Sequence, residues 1–310
     1  MAAGMIGRRG LVAMPFALAA AGWIRGAAAQ AARPVVVSSK IDTEGALLGN
    51  LVVAALRAAG IPVEPRLALG PTRIVRTALL AGEIDLYPEY TGNGAFFFNR
   101  AEDPAFRNGQ SAHELVARLD REANNLVWLP RAEANNTWAI ALRGDLARAG
   151  NLATMEDFAK AAEAGTLRLA ASAEFVESPA ALASFERTYG FRFPRDRIVV
   201  LPGGDTAVTM RAAAQRISGV NAAMVYGTDG AIAALDLVVM RDTKGAQIVY
   251  EPAAVVRAPV LAAHPGIAPA LAPVFASLTL EKLQQLNAQI AVEGRTAAAV
   301  AQAHFRSLGG

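Results

Sequence analysis

Glu83-Ile84-Asp85-Leu86-Tyr87-Pro88-Glu89-Tyr90-Thr91-Gly92 is the stretch on which the reading of this chain turns. Ile84 to Tyr87 has the composition of a short strand, and Pro88 and Gly92 mark a loop behind it. In α/β proteins the loops at strand ends carry the binding groups. Two tyrosines, Tyr87 and Tyr90, and two carboxylates, Asp85 and Glu89, are gathered there behind Glu83. An exposed aromatic face attracts a cation that cannot donate a hydrogen bond, because the ring quadrupole needs no proton. The plainer reading of each tyrosine is a half-buried structural residue.

Upstream, Val35 to Ser38 reads as a buried strand and Lys40-Ile41-Asp42-Thr43 as a loop, with Asp42 or Thr43 able to cap the next helix. Leu47, Leu48, Leu51, Val52, Ala55, Leu56 and Ala59 then recur at helical spacing, and Gly60 closes the helix. A strand follows near Val63 to Leu67. The next helix has Pro71 at its first turn and Gly82 just past its end. Strands alternating with helices in this way predict a parallel sheet.

Downstream, the pattern predicts a helix over Ser111 to Ala123, a strand over Leu126 to Leu129 and a longer β segment from Asn136 to Leu142. It then restarts. Thr154 with Asp157 caps a helix through Ala164. Leu167 to Ala171, Ile198 to Leu201 and Ala222 to Tyr226 read as strands, with helices over Pro179 to Tyr189 and Thr206 to Ile217 between them. Leu237 to Met240 and Ile248 to Val256 read as further strands. Helices near Ile267–Ala276, Thr279–Val292 and Thr296–Phe305 close the chain. The fold class expected is α/β, with two lobes joined by two extended crossovers and a ligand cleft between them. Lobe 1 takes residues 34–136 and 251–310, and lobe 2 takes 139–247. Such a connection permits hinge closure over the cleft.

Residues 1–29 read as a cleavable export signal rather than as part of the fold. Arg8 and Arg9 precede an apolar run from Leu11 to Trp23, and Ala27-Ala28-Ala29 offers a small-residue cleavage site. The two arginines also fit a twin-arginine signal loosely, so ordinary and twin-arginine export both stay open. The full chain has 30 Lys+Arg against 27 Asp+Glu. The signal holds Arg8, Arg9 and Arg25 and no acid, which leaves the rest balanced and without an electrostatic footprint for nucleic acid. The chain has no cysteine. That removes disulfides, thiolate chemistry, Cys-type zinc sites and a lipid-anchored N-terminal Cys. A soluble periplasmic protein is expected.

Catalytic and metal chemistry find little support. His113, His264 and His304 each stand alone and read as surface or capping residues. No HExxH, GxSxG or P-loop is present. Asp85 and Glu89 could be drawn as an acid/base pair of a secreted enzyme. The blander reading makes them a solvated strand-edge acid and a loop acid. Tyr90, Trp138, Tyr226 and Tyr250 each fall at or near a strand end or in a crossover. Converging on one cleft, they would make a box for a trimethylammonium group; each could instead be core. Lys40 could hold a ligand carboxylate, or be a solvated loop lysine.

Ser39-Lys40-Ile41-Asp42-Thr43-Glu44 with Gly49, Leu69-Gly70-Pro71-Thr72-Arg73-Ile74-Val75-Arg76, the Glu83–Gly92 stretch and Val225-Tyr226-Gly227-Thr228-Asp229-Gly230 together resemble the substrate-binding proteins of quaternary-ammonium ABC importers, in the osmoprotectant-binding OsmF (YehZ) branch. The likeness runs through essentially the whole chain after the signal. It implies a type II periplasmic-binding-protein fold and a ligand such as glycine betaine, choline, carnitine or proline betaine. It implies an aromatic box of Tyr90, Trp138, Tyr226 and Tyr250, with Trp138 where the family usually has tyrosine. Lys40 matches the family's carboxylate-binding lysine, and Asn93 stands where a threonine often donates to the same group. Ser178 falls about where many relatives carry an arginine, so a bidentate clamp is replaced by a hydroxyl. The implied role is ligand capture by a monomer, with delivery to an inner-membrane permease and its cytoplasmic ATPase. It involves no reaction and no cofactor. A ligand sensor of the same fold is the nearer alternative.

Overall fold

The structure is a computed structural model that describes Met1, residues 33–201 and residues 206–309. The expected export signal lies outside the described residues. Among the described residues no helix is long and apolar enough to cross a membrane.

The strands, in chain order, are β1 (Val35–Lys40), β2 (Val63–Gly70), β3 (Leu86–Tyr90), β4 (Leu126–Trp128), β5 (Trp138–Arg143), β6 (Leu169–Ser172), β7 (Ile198–Leu201), β8 (Ala222–Tyr226), β9 (Leu237–Val239) and β10 (Pro252–Arg257). They form two five-stranded sheets of order β2-β1-β3-β10-β4 and β7-β6-β8-β5-β9. The parallel sheet expected from the sequence is in fact mixed. β1 runs parallel to β2 and β3, but β10 is antiparallel to both β3 and β4. The second sheet repeats the arrangement, with β6, β7 and β8 parallel and β5 antiparallel to β8 and β9. The reason is the crossing. β10 follows β9 in the chain and inserts into the first sheet between β3 and β4. β5, the first strand after β4, inserts into the second sheet between β8 and β9. Two connections therefore run between the sheets, and they are hydrogen-bonded to each other. Asn136 N donates to Tyr250 O at 2.9 Å, and Thr137 Oγ1 donates to Ile248 O at 2.7 Å.

The apolar periodicities predict most of the helices well. Thr43–Ala58 buries Leu47, Leu48, Leu51, Val52, Ala55 and Leu56, and Asp42 caps it by accepting from Gly45 N at 2.8 Å. Gly82 ends Thr72–Ala81 at φ 76°, a left-handed position that glycine adopts without strain. Thr154 and Asp157 form a reciprocal capping box on Met155–Glu163. Ile267–Ala276, Leu280–Ala291 and Ala297–Ser307 supply Leu271, Phe275, Leu283, Leu286 and Val300 to the core over β1 and Thr43–Ala58. A second core lies under the other sheet, around Phe158, Phe175, Phe185, Ile140 and Met224.

Some boundaries move. Ile248 to Glu251 belongs to the crossover, and strand pairing begins at Pro252. The helix expected from Pro179 begins at Leu182, behind a short helix, Ala173–Glu177, that the sequence reading lacked. The histidines are less exposed than expected. His113 Nε2 lies 2.9 Å from Leu129 O, and the buried His304 lies 2.9 Å from Ser277 Oγ.

The most consequential correction concerns β3. The sequence pattern puts the strand over Ile84 to Tyr87 with a loop behind it. The strand is Leu86–Tyr90 and is buried throughout. Pro88 is tolerated inside it because β1 pairs with β3 at Val37 opposite Leu86, before Pro88 is reached. Of the acids of the stretch, Glu83 is exposed, but Asp85 and Glu89 are not solvated. Asp85 is 1% exposed, accepts from Val36 N at 2.9 Å and meets Arg33 and Arg257. Glu89 is fully buried within β3.

Candidate functional site

A cavity of about 1200 Å³ opens between the two sheets. Its floor on the first sheet comes from the ends of β1 and β3, where Lys40 and Tyr90 stand, and from Asn93 at the start of the helix Asn93–Phe97. The wall on the second sheet comes from Trp138 at the start of β5 and Tyr226 at the end of β8. These two are direct partners across the antiparallel pair, so their side chains share one face of the sheet. Their ring centroids are 6.5 Å apart and the planes differ by 21°. Phe175, fully buried, meets the Trp138 ring edge-on at 6.2 Å. The helix that carries Phe175 ends at Ser178, whose side chain also lines the cavity.

Tyr250 enters from the second crossover. Its backbone N–H donates to Asn135 Oδ1 at 2.8 Å, and its ring lies over Gly92. A Cβ on Gly92 would fall 2.7 Å from Tyr250 Cδ1, so the missing side chain at position 92 is what lets the ring approach. The four aromatics, with Lys40, Asn93 and Ser178, thus come together on one cavity.

Two features of this arrangement depart from the sequence reading. Lys40 is not a solvated loop lysine. It ends β1, is 5% exposed, and donates to Glu89 Oε1 at 2.5 Å. Its ammonium also lies 4.5 Å from the centre of the Tyr90 ring. Tyr90 therefore already carries a cation on its face, and it is only 6% exposed.

Glu89 is the centre of a donor cluster. Besides Lys40 it accepts from Asn93 Nδ2 at 2.7 Å, Tyr87 Oη at 2.7 Å and Tyr90 N at 2.6 Å. Four donors on one buried carboxylate satisfy it fully. Asp85 and Glu89 do not line the cavity, so the geometry does not set them up as an acid/base pair there.

A second buried acid escaped the sequence reading. Glu44, in the first turn of Thr43–Ala58, accepts from Tyr90 Oη at 2.6 Å, Asn287 Nδ2 at 2.6 Å and Asn136 Nδ2 at 3.2 Å. Burial raises its pKa to about 7, against which the hydrogen bonds from Thr228, Tyr90 and Asn287 pull it down. Asn287 also donates to Thr228 O at 2.9 Å, tying the helix Leu280–Ala291 to the loop that follows Tyr226. The one available signal for Asn287 was a polar residue on the apolar stripe of its helix, between Leu283, Leu286 and Ile290. Asp42, Glu174 and Asp229 bring further carboxylates to the cavity, and Arg211 brings a guanidinium on an exposed helix position. Among the described residues no group of His, Cys, Asp and Glu is arranged to hold a metal ion.

Comparison with known proteins follows the same line. Residues 33–307 match the family described as the substrate binding domain of ABC-type glycine betaine transport systems. The glycine betaine-binding protein YehZ of Escherichia coli (strain K12) is 53% identical over 281 residues, covering 90% of this chain and 92% of YehZ. A glycine-betaine-binding protein of Pseudomonas aeruginosa is 30% identical over 296 residues, covering 93% of this chain and 92% of its own length. The solved structure of apo YehZ from E. coli superposes with a TM-score of 0.81 over 90% of this chain and 99% of that one. The fold expected from the sequence, two α/β lobes of the periplasmic-binding type, is the fold observed. With the match spanning the described chain from β1 to the last helix, this protein belongs to the family of substrate-binding domains of ABC-type glycine betaine transport systems.

Proposed function

We propose that this chain is an exported solute-binding protein that captures a small quaternary ammonium compound between its two lobes and delivers it to an inner-membrane permease. The observation that carries the reading is the aromatic lining: Trp138 and Tyr226 side by side on one wall, with Tyr250 and Tyr90 contributed by the crossover and the other sheet. A methylated ammonium cannot donate hydrogen bonds, so ring faces are the groups suited to hold it. Family membership supports the transport role.

In this reading Trp138, Tyr226 and Tyr250 contact the methyl groups, Tyr90 closes the box, and Lys40, Asn93 and Ser178 border the other end of the ligand. Lobe 1 takes residues 34–136 and 251–310, and lobe 2 takes 139–247, with closure about the paired crossovers. The protein works as a monomer in the periplasm after loss of residues 1–29, and its partners are a permease and the permease's cytoplasmic ATPase. It needs no cofactor and catalyses no reaction.

The test is titration calorimetry and thermal shift of the purified chain with glycine betaine, choline, carnitine, proline betaine and unmethylated amino acids. Methylated amines should raise the melting temperature by mass action on the native state. Silence with every methylated amine at millimolar concentration, or an equal response to amino acids, would defeat the reading.

A further inference from the structure

The carboxylate end of a zwitterionic ligand needs a cation or a set of donors in the cavity. In the proposed reading Lys40, Asn93 and the Ser178 hydroxyl border that end, and Lys40 is the one cation among them. Yet the Lys40 ammonium is 2.5 Å from Glu89 Oε1 and the Asn93 amide donates to the same oxygen at 2.7 Å. Glu89 is beneath the cavity floor, fully buried, and also held by Tyr87 Oη and Tyr90 N. These donors hold its carboxylate against Lys40. Among the described residues the remaining charge on the lining is acidic: Asp42, Glu174 and Asp229 against Arg211, with Glu44 protonated in part near neutral pH because burial raises its pKa to about 7. The acceptors Asn136 Oδ1 and Asn287 Oδ1 are buried without a hydrogen-bond partner, because the amide nitrogens of both residues are turned to Glu44.

We propose that Glu89 is a specificity-determining positioning residue: by neutralising Lys40 and holding Asn93 from below, it leaves the cavity suited to a quaternary ammonium cation with a neutral hydroxyl at its far end at least as well as to a zwitterion with a carboxylate there. The proposal rests on the quaternary ammonium reading and refines it. A hydroxyl can donate to an unpartnered carbonyl oxygen of Asn136 or Asn287, which a carboxylate cannot do. A carboxylate would instead face a lining in which acids outnumber the unpaired cations.

The experiment compares choline with glycine betaine by calorimetry on the purified full chain and on Glu89→Gln. In the unaltered chain choline should bind at least as tightly as glycine betaine. Glu89→Gln keeps the shape, removes the charge under Lys40, and should shift the betaine-to-choline affinity ratio at least tenfold toward betaine. Adding Lys40→Met to that variant should reverse the shift. A role in folding alone would weaken both ligands together and leave the ratio unmoved, which would overturn the proposal. If Glu89→Gln does not fold, the unaltered chain still decides: betaine bound more than tenfold tighter than choline means that Lys40 exerts its charge on the ligand, and the proposal fails. No heat with either ligand would remove the ligand class itself, an outcome distinct from an unmoved ratio.

Discussion

Trp138 stands directly across from Tyr226 on adjacent antiparallel strands, and their rings lie 6.5 Å apart and within 21° of parallel. Cross-strand register, rather than any local motif, thus builds one wall of the cavity from residues 88 positions apart. The pairing predicts that each ring contributes separately to a bound cation. Tyr226→Ala should weaken a quaternary ammonium ligand by about 1–2 kcal/mol, and Tyr226→Phe should bind nearly as well as the unaltered chain, since the face and not the hydroxyl attracts the cation. Calorimetry measures both, and an unchanged affinity in the Ala variant would take Tyr226 out of the site.

Ser178 tests the opposite end. It lines the cavity where a guanidinium would have reach, and its hydroxyl accepts a 3.3 Å bond from Ala180 N. Ser178→Arg should tighten glycine betaine by about 1.5–3 kcal/mol, the range for hydrogen bonds to charged groups. Choline, with no carboxylate to grip, should not gain. Equal changes for the two ligands would mean that position 178 does not face the ligand's far end.

Glu44 makes stability depend on pH in a defined direction. Its carboxyl titrates at about 7 in the folded chain against 4.5 for the ordinary value, because burial penalises the charge. Between those values the folded state holds a proton that the unfolded state has released. Stability from this group is therefore fully present below pH 4.5 and lost as pH rises through 7, by up to about 3 kcal/mol. His113 and His304 act in reverse, since burial lowers both below 6.5. The Glu44 effect is isolated by subtraction: urea unfolding from pH 5 to 8 should show a decline in the unaltered chain that is absent in Glu44→Gln. Parallel pH profiles in the two proteins would refute it.

Gly92 should tolerate no side chain. A Cβ there would fall 2.7 Å from Tyr250 Cδ1 and 2.8 Å from Ile248 Cγ2. Gly92→Ala must push the second crossover off the end of β3, at a cost of about 1–3 kcal/mol for overpacking. Because Tyr250 moves with it, ligand affinity should fall together with the denaturation midpoint. Loss of neither would show that the crossover yields without strain.

The alternation of strands and helices was legible from hydrophobic period and from Gly, Pro and Thr at helix ends, since each such signal acts over a few residues. The aromatic set was legible too, because Tyr90, Trp138 and Tyr226 lie at strand ends, where open α/β sheets place their ligands. Pro88 misled the reading of β3: a proline ordinarily excludes a central strand, and only the early end of the β1 pairing admits it here.

By itself, then, the amino-acid sequence determined the α/β elements, the two-lobed repeat and the residues that could face a ligand. The tertiary structure decided their burial and company. Lys40 and Glu89 are 49 residues apart, and Glu44 and Asn287 are 243 apart. No local pattern announces such a pair, because a buried acid is stable only where distant chain segments bring donors to it, and folding alone sets which segments meet.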